Sequence, residues 1–286
     1  MGKNSIKIIE CPRDAMQGMQ EFVPTNNKIT YINSLLKCGF DTIDFGSFVS
    51  PKAIPQMKDT AEVLSKLDLT KSKSKLLAIV ANERGAEDAC SFDEINYLGF
   101  PFSVSQEFQK RNTNSTIEES LKKVENIQNS VIKYGKDLVL YLSMGFGNPY
   151  GEHWSPDLVL SWSEKLVTLF GIKIIAISDT IGSAKKEDIQ YLFRTLIPEL
   201  PQVEFGAHMH VRPENTHEII SSAYEAGCRR FDGAVRGFGG CPMAKDDLTG
   251  NVPTERMLDY FRAQNIQTGV RQMEFENAMK LSTIIF

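Results

Sequence analysis

Several features common in secreted, membrane and nucleic-acid-binding proteins are missing from this sequence. Its five cysteines, Cys11, Cys38, Cys90, Cys228 and Cys241, are odd in number, far apart and include no Cys-x-x-Cys pair. That excludes a disulfide framework and a zinc ribbon. No segment approaches the ~18 consecutive apolar residues of a bilayer-spanning helix. The start, Met1-Gly2-Lys3-Asn4-Ser5-Ile6, has no apolar signal region and places Ile6 where a myristoylation signal has Ser or Thr. A cytoplasmic protein is expected, with no membrane partner. The 32 basic residues are scattered apart from a stretch at 71–75, and the net charge is −4, so no nucleic-acid footprint is present. Repeats and low-complexity linkers are absent as well.

What the chain does contain is ordinary globular composition, 42% hydrophobic and 24% charged over 286 residues, ample for a sizeable core. Short β-rich runs fall at 6–11, 42–46, 76–80, 96–100, 138–142, 173–177, 203–208 and 230–232, the fourth weakened by Gly99. Helical stretches separate them, at 25–38, 60–67, 86–90, 115–134, 157–170, 186–196 and 215–226. Eight strand–helix units of roughly 30 residues are the arithmetic of a (β/α)8 TIM barrel. A doubly wound sheet would carry a glycine-rich phosphate loop after its first strand, but Cys11-Pro12-Arg13-Asp14-Ala15 stands there. The expectation is an α/β chain forming one domain over 1–286, with the barrel at about 5–250 and extra C-terminal helices at about 252–286.

Barrel chemistry sits where strands end. The first strand runs into Arg13-Asp14, the second carries Asp44, the sixth leads into Ser178-Asp179-Thr180, and the seventh ends in His208-Met209-His210. Side chains alternate along a strand, so His208 and His210 share a face. Such a pair offers two nitrogens to a divalent metal, or is a pair of satisfied histidines; the spacing alone leaves both open. Beyond the eighth strand, Arg236-Gly237-Phe238-Gly239-Gly240-Cys241-Pro242 places a cysteine on a loop with three glycines in four residues. Near a metal and Arg13 that thiol could move a proton. Asn251, after Gly250, is either a carbonyl donor to a hard cation or a turn residue.

Taken together these motifs resemble the 3-hydroxy-3-methylglutaryl-CoA lyase family, of the metal-dependent lyases and Claisen synthases built on TIM barrels. The resemblance covers about 6–269. It rests on Pro12-Arg13-Asp14 with Gln17, Ser47-Phe48-Val49-Ser50-Pro51-Lys52 with Pro55-Gln56-Met57, and Asn112 ahead of Ser115-Thr116-Ile117-Glu118-Glu119-Ser120. It rests also on Asp179-Thr180-Ile181-Gly182, His208-Met209-His210, Gly239-Gly240-Cys241-Pro242, and Gly250-Asn251 with Pro253-Thr254-Glu255. The resemblance implies cleavage of 3-hydroxy-3-methylglutaryl-CoA (HMG-CoA) to acetyl-CoA and acetoacetate. It implies Mg²⁺ or Mn²⁺ on Asp14, His208, His210 and Asn251, with catalytic roles for Arg13, Asp14, Asp44, Asp179, His208 and Cys241. Substrate contacts at Arg13, Gln17, Asn112 and Ser178 are implied too, as are an acyl-CoA partner and a homodimer.

The sequence departs from the family in places. Glu10 lies two residues before Pro12, where the family glutamate lies three before. Asp44 and Ala15 replace Glu and Gly, and Val211-Arg212-Pro213 follows the histidines where the lyase has Asp. These changes surround the acyl pocket rather than the metal ligands. Three alternatives therefore stand beside the lyase: action on another branched 3-hydroxyacyl-CoA, a Claisen-type synthase, and a non-catalytic metal or CoA binder. Such synthases carry a long C-terminal extension, and only about 35 residues follow Asn251 here.

Overall fold

Residues 5–240 and 249–286 are described by a computed structural model. Eight parallel strands form from the β-rich runs: β1 Lys7–Glu10, β2 Thr42–Ser47, β3 Lys75–Ile79, β4 Ile95–Ser103, β5 Asp137–Ser143, β6 Ile174–Asp179, β7 Glu204–Val211 and β8 Arg230–Gly233. Each pairs with its neighbour, and β1 pairs with β8 in the register Lys7↔Arg230 to Glu10↔Gly233. The ring is therefore closed and leaves no free edge among these eight strands. A ninth strand, β9 Gly250–Asn251, runs antiparallel to the end of β7.

Around the barrel lie α1 Pro12–Gln17, α2 Thr25–Leu36, α3 Thr60–Leu64, α4 Glu83–Cys90, α5 Gln106–Thr113, α6 Ile117–Lys133, α7 Pro156–Phe170, α8 Lys186–Glu199, α9 Thr216–Glu225, α10 Thr254–Ala263 and α11 Gln272–Leu281. Cap chemistry fixes several starts. Thr116 and Glu119 form a reciprocal capping box at α6, and Ser155 accepts from the Leu158 N–H at α7. α10 follows β8 and packs on α9, which completes the helical ring. α11 is the addition, packed on α2, with Phe275 edge-to-face at 6.0 Å against Phe40, which lies between α2 and β2. No described helix is long and apolar enough to cross a membrane.

Strand alternation divides the barrel wall. Outward residues such as Ile43, Phe45, Leu98, Phe100, Ile175, Phe205 and Phe231 pack with the helices in one core. Inward, Leu77, Ile79, Tyr97, Val139, Tyr141, Ile174 and Ala176 form a separate apolar cluster, and all of them come from β3 to β6. Where β7, β8, β1 and β2 face inward, the side chains are largely polar. The barrel interior is apolar on one side and polar on the other, and this partition locates the site.

The structure differs from the sequence reading in four places. The first strand stops at Glu10, and Arg13 and Asp14 lie on α1; Pro12 at the first helical position presets its φ. β4 reaches Ser103 and is not weakened by Gly99. A Cβ there would lie 2.5 Å from Ile79 and 3.0 Å from Tyr141, so the glycine makes room for inward side chains. α5, with Asn112, and β9 have no counterpart in the sequence reading.

Candidate active site and metal centre

α1 lies close against β2 and holds Arg13 and Asp14 nearly buried. Gln17 is four residues from Arg13 and three from Asp14, hence on the same helical face. Its Oε1 accepts from Arg13 Nη1 at 2.8 Å, and its Nε2 donates to Asp14 Oδ1 at 3.0 Å. Arg13 Nη1 also donates to Asp14 Oδ1 at 2.8 Å, while Nε reaches both oxygens of Asp44 at 3.1 and 3.2 Å and Nη2 donates to the same carboxylate. Of the five N–H groups of a guanidinium, these bonds leave one Nη2–H uncommitted.

On β7 the imidazoles of His208 and His210 face the same side, ring centroids 5.4 Å apart. His208 Nδ1 lies 3.1 Å from Asp232 Oδ2, and His210 Nδ1 lies 2.9 Å from the Thr180 carbonyl. Both partners only accept, so each neutral ring carries its proton on Nδ1 and presents the Nε2 lone pair. His210 Nε2 is buried and has no partner among the described residues. Asp14, His208 and His210 bring their ligand atoms within 4.8 Å of one another. β9 adds a fourth group through the register His210↔Asn251. Asn251 Nδ2 donates to Asp14 Oδ2 at 2.7 Å and to the Phe238 carbonyl at 2.9 Å. These two acceptors fix the orientation of the amide, with its nitrogen turned towards Asp14. One carboxylate and two imidazoles suit a divalent ion of mixed N/O preference. Cys11, His208 and Asp232 also cluster, and within that set His208 Nδ1 is hydrogen-bonded to Asp232.

Charges in the cluster are strongly perturbed. Burial opposes ionisation of Asp14, yet Arg13, then His208 and His210, hold its pKa down at about 2. Burial, then the neighbouring His208, pushes His210 down to about 4. For His208 burial acts the same way, but the Asp232 hydrogen bond and charge leave it above the ordinary value. Burial lifts Asp44 to about 6 despite Arg13.

The remaining predicted residues lie elsewhere. Asp179 pairs in register with Met209, so it points away from the imidazole face. Its carboxylate accepts from the backbone N–H groups of Ser183 at 3.0 Å and Ala184 at 2.8 Å, organising the loop whose Thr180 carbonyl holds His210. Ser178 faces inward on β6, buried, its Oγ donating to the Ala176 carbonyl at 3.1 Å. Asn112 is exposed on α5. Cys241 lies outside the described residues. Sequence reasoning missed Asp232, although the criterion that selects Asp44, an acid near the end of a strand, selects it equally.

The HMGL-like family model matches residues 6–282. Hydroxymethylglutaryl-CoA lyase YngG of Bacillus subtilis is 32% identical over 269 residues, covering 94% of this chain and 89% of that protein. The human cytoplasmic 3-hydroxy-3-methylglutaryl-CoA lyase is 32% identical over 268 residues, covering 93% and 71% respectively. An HMG-CoA lyase from Acinetobacter baumannii, solved in complex with coenzyme A and 3-methylmalate, superposes with a TM-score of 0.89 at 28% identity, covering 100% of this chain and 92% of that one. In sequence over nearly its whole length, and in fold, the chain belongs to the HMGL-like family.

Proposed function

We propose that this protein cleaves HMG-CoA between C2 and C3 of the acyl chain, giving acetyl-CoA and acetoacetate, with Mg²⁺ or Mn²⁺ held by Asp14, His208, His210 and Asn251. The observation that carries the reading is the convergence of Asp14 and the two Nε2 lone pairs beside the clamped Arg13. When bound, the ion supplies Lewis acidity that lowers the pKa of the substrate's tertiary hydroxyl. Asp44, whose pKa of about 6 leaves it ionised at neutral pH, is the group placed to take its proton, while His208, its ring backed by Asp232, serves the chemistry by holding the ion. Proton transfer of this kind contributes typically ~10²- to 10⁴-fold in rate.

Arg13 directs its remaining N–H at the thioester oxygen, where the enolate charge develops; loss of one such donor costs ~2.7 to 4 kcal/mol. Asp44, Asp14 and Gln17 hold that guanidinium in place before substrate arrives. Asp179 contributes through its loop and Thr180. Gln17, Ser178 and Asn112 contact substrate. Cys241 protonates the carbon of the departing acetyl-CoA enolate. Its stem supports this, since Gly239 lies so close to the centre that a Cβ there would sit 2.7 Å from the Asp14 carbonyl and 2.8 Å from Asn251 Nδ2. Cys241→Ser is expected to lose most activity while keeping its metal; unchanged turnover would remove the thiol from the mechanism. A reducing cytoplasmic setting is supported by the buried free thiols Cys11, Cys38, Cys90 and Cys228. The homodimer implied by the family resemblance is read by light scattering on the eluting protein.

The test is an assay of purified, metal-loaded protein across a panel of acyl-CoA thioesters. Acetoacetate released from HMG-CoA is the expected result. Turnover of a different branched 3-hydroxyacyl-CoA in its place would move the substrate and keep the chemistry, and no carbon–carbon cleavage of any thioester would contradict the lyase.

A further inference from the structure

We propose that Asp232 is a positioning residue that sets the ring of His208 for metal binding, and that Arg230, two residues earlier on the same inward face of β8, compensates the charge of the Asp232 carboxylate without bonding to it. The proposal rests on the reading of Asp14, His208 and His210 as a metal centre and adds how one of its ligands is prepared. A neutral imidazole has one N–H, and the partner of one nitrogen decides which nitrogen is left to bind. His210 is served by a backbone carbonyl, which side-chain replacement cannot remove. His208 depends on a side chain, Asp232 Oδ2 at 3.1 Å. The Tyr141 ring stands edge-on to His208 at 5.2 Å and limits its rotation.

Asp232 is almost fully buried, where an ionised carboxylate needs compensating charge. Arg230 supplies it. Its side chain is 0% exposed and is accommodated because Gly206, opposite on β7, has no Cβ; one placed there would lie 2.9 Å from Arg230 Cδ. Arg230 Nη1 donates to Glu204 Oε1 at 3.3 Å. Its Nε and Nη2, with Asp232 Oδ1, have no protein partner among the described residues. The Asp232 charge is the largest favourable influence on the Arg230 guanidinium. Neither group hydrogen-bonds the other, so Arg230 acts on Asp232 through charge within the same buried inward face rather than through a direct bond.

Two measurements on the full chain test this. In the metal-free protein, at a pH where both rings are neutral, two-bond ¹⁵N–¹H correlation of labelled histidines should place the proton of His208 on Nδ1, as for His210. A wild-type His208 protonated on Nε2 overturns the proposal without any variant. In Asp232→Asn the amide NH₂ can donate to Nδ1 and shift the ring proton to Nε2. This variant should show the shift at His208 alone, and Mn²⁺ binding weakened ~10- to 100-fold by calorimetry. Arg230→Met should weaken Mn²⁺ binding in the same direction with Asp14, His208 and His210 all retained. A folded Asp232→Asn protein with the original tautomer and unchanged Mn²⁺ affinity overturns the proposal. A wild-type protein that binds no Mn²⁺ yet carries the Nδ1 proton upholds the positioning and instead sinks the metal reading.

Discussion

Glu10 is the residue whose chemistry depends most on where the fold puts it. It is fully buried, accepting from the Val235 N–H at 2.8 Å and from Thr254 Oγ1 at 2.6 Å, and it thereby ties β1 to the stem of the glycine loop and to α10. Burial raises its pKa to about 8, so at neutral pH it is a neutral acid outside the metal cluster. Its contribution to stability is complete below the unfolded value of about 4.5 and is lost as pH rises through about 8, because only the folded state keeps the proton in that window. Glu10→Gln retains an acceptor and a donor at the site and removes the titration. Urea unfolding between pH 5 and 8 should show wild type losing stability relative to Glu10→Gln by roughly 1 kcal/mol per pH unit; parallel curves would contradict a neutral buried Glu10. In the sequence, Glu10 registers as an odd spacing before Pro12. Its outward orientation follows only from knowing that Cys11 and Ile9 face the barrel interior.

Among the elements, β9 matters out of proportion to its two residues, because it carries Asn251 to His210. Gly250 permits the approach: a Cβ would lie 2.2 Å from the Gly237 carbonyl oxygen, backbone that has no room to move. Gly250→Ala is expected to cost about 1–3 kcal/mol by overpacking and to weaken Mn²⁺ binding although no ligand is changed. Wild-type affinity in that variant would mean that Asn251 is not held by this pairing. A two-residue strand has no period, so β9 was illegible in the sequence. α5 was illegible for another reason: Gln-Glu-Phe-Gln-Lys-Arg-Asn-Thr has one apolar residue, Phe108, and therefore no apolar stripe. The strands with apolar runs, such as β3 and β6, were legible because both faces are covered, and the more polar ones from their place in the strand–helix alternation. The pair of histidines was legible from alternation alone. Asp179 was not, since an acid at the end of a strand does not reveal its face, and here the register with Met209 turns it outward.

For the whole molecule, the division of the barrel interior concentrates function on β7, β8, β1, β2 and the loops beyond them, while β3 to β6 supply an apolar wall. We read the chain as one domain, with α11 locked to the segment between α2 and β2 by Phe275 against Phe40 and by the Arg271 N–H donating to the Cys38 carbonyl at 2.7 Å. Phe275→Ala should lower the stability of the entire chain by about 3–5 kcal/mol in a single unfolding transition, with kcat of the folded enzyme unchanged. A separate early transition would instead mark 252–286 as an independent unit.

Dependence of carbon–carbon cleavage on an ion at the end of β7 is tested most directly by assaying HMG-CoA cleavage by metal-stripped protein against Mn²⁺ concentration, in wild type and in His210→Ala. The expected result is no acetoacetate from stripped wild type, recovery that saturates at one ion per chain, and a folded His210→Ala protein that needs far more Mn²⁺. Full cleavage by the stripped protein, or an unshifted Mn²⁺ dependence in His210→Ala, would contradict a metal-dependent lyase built on Asp14, His208, His210 and Asn251.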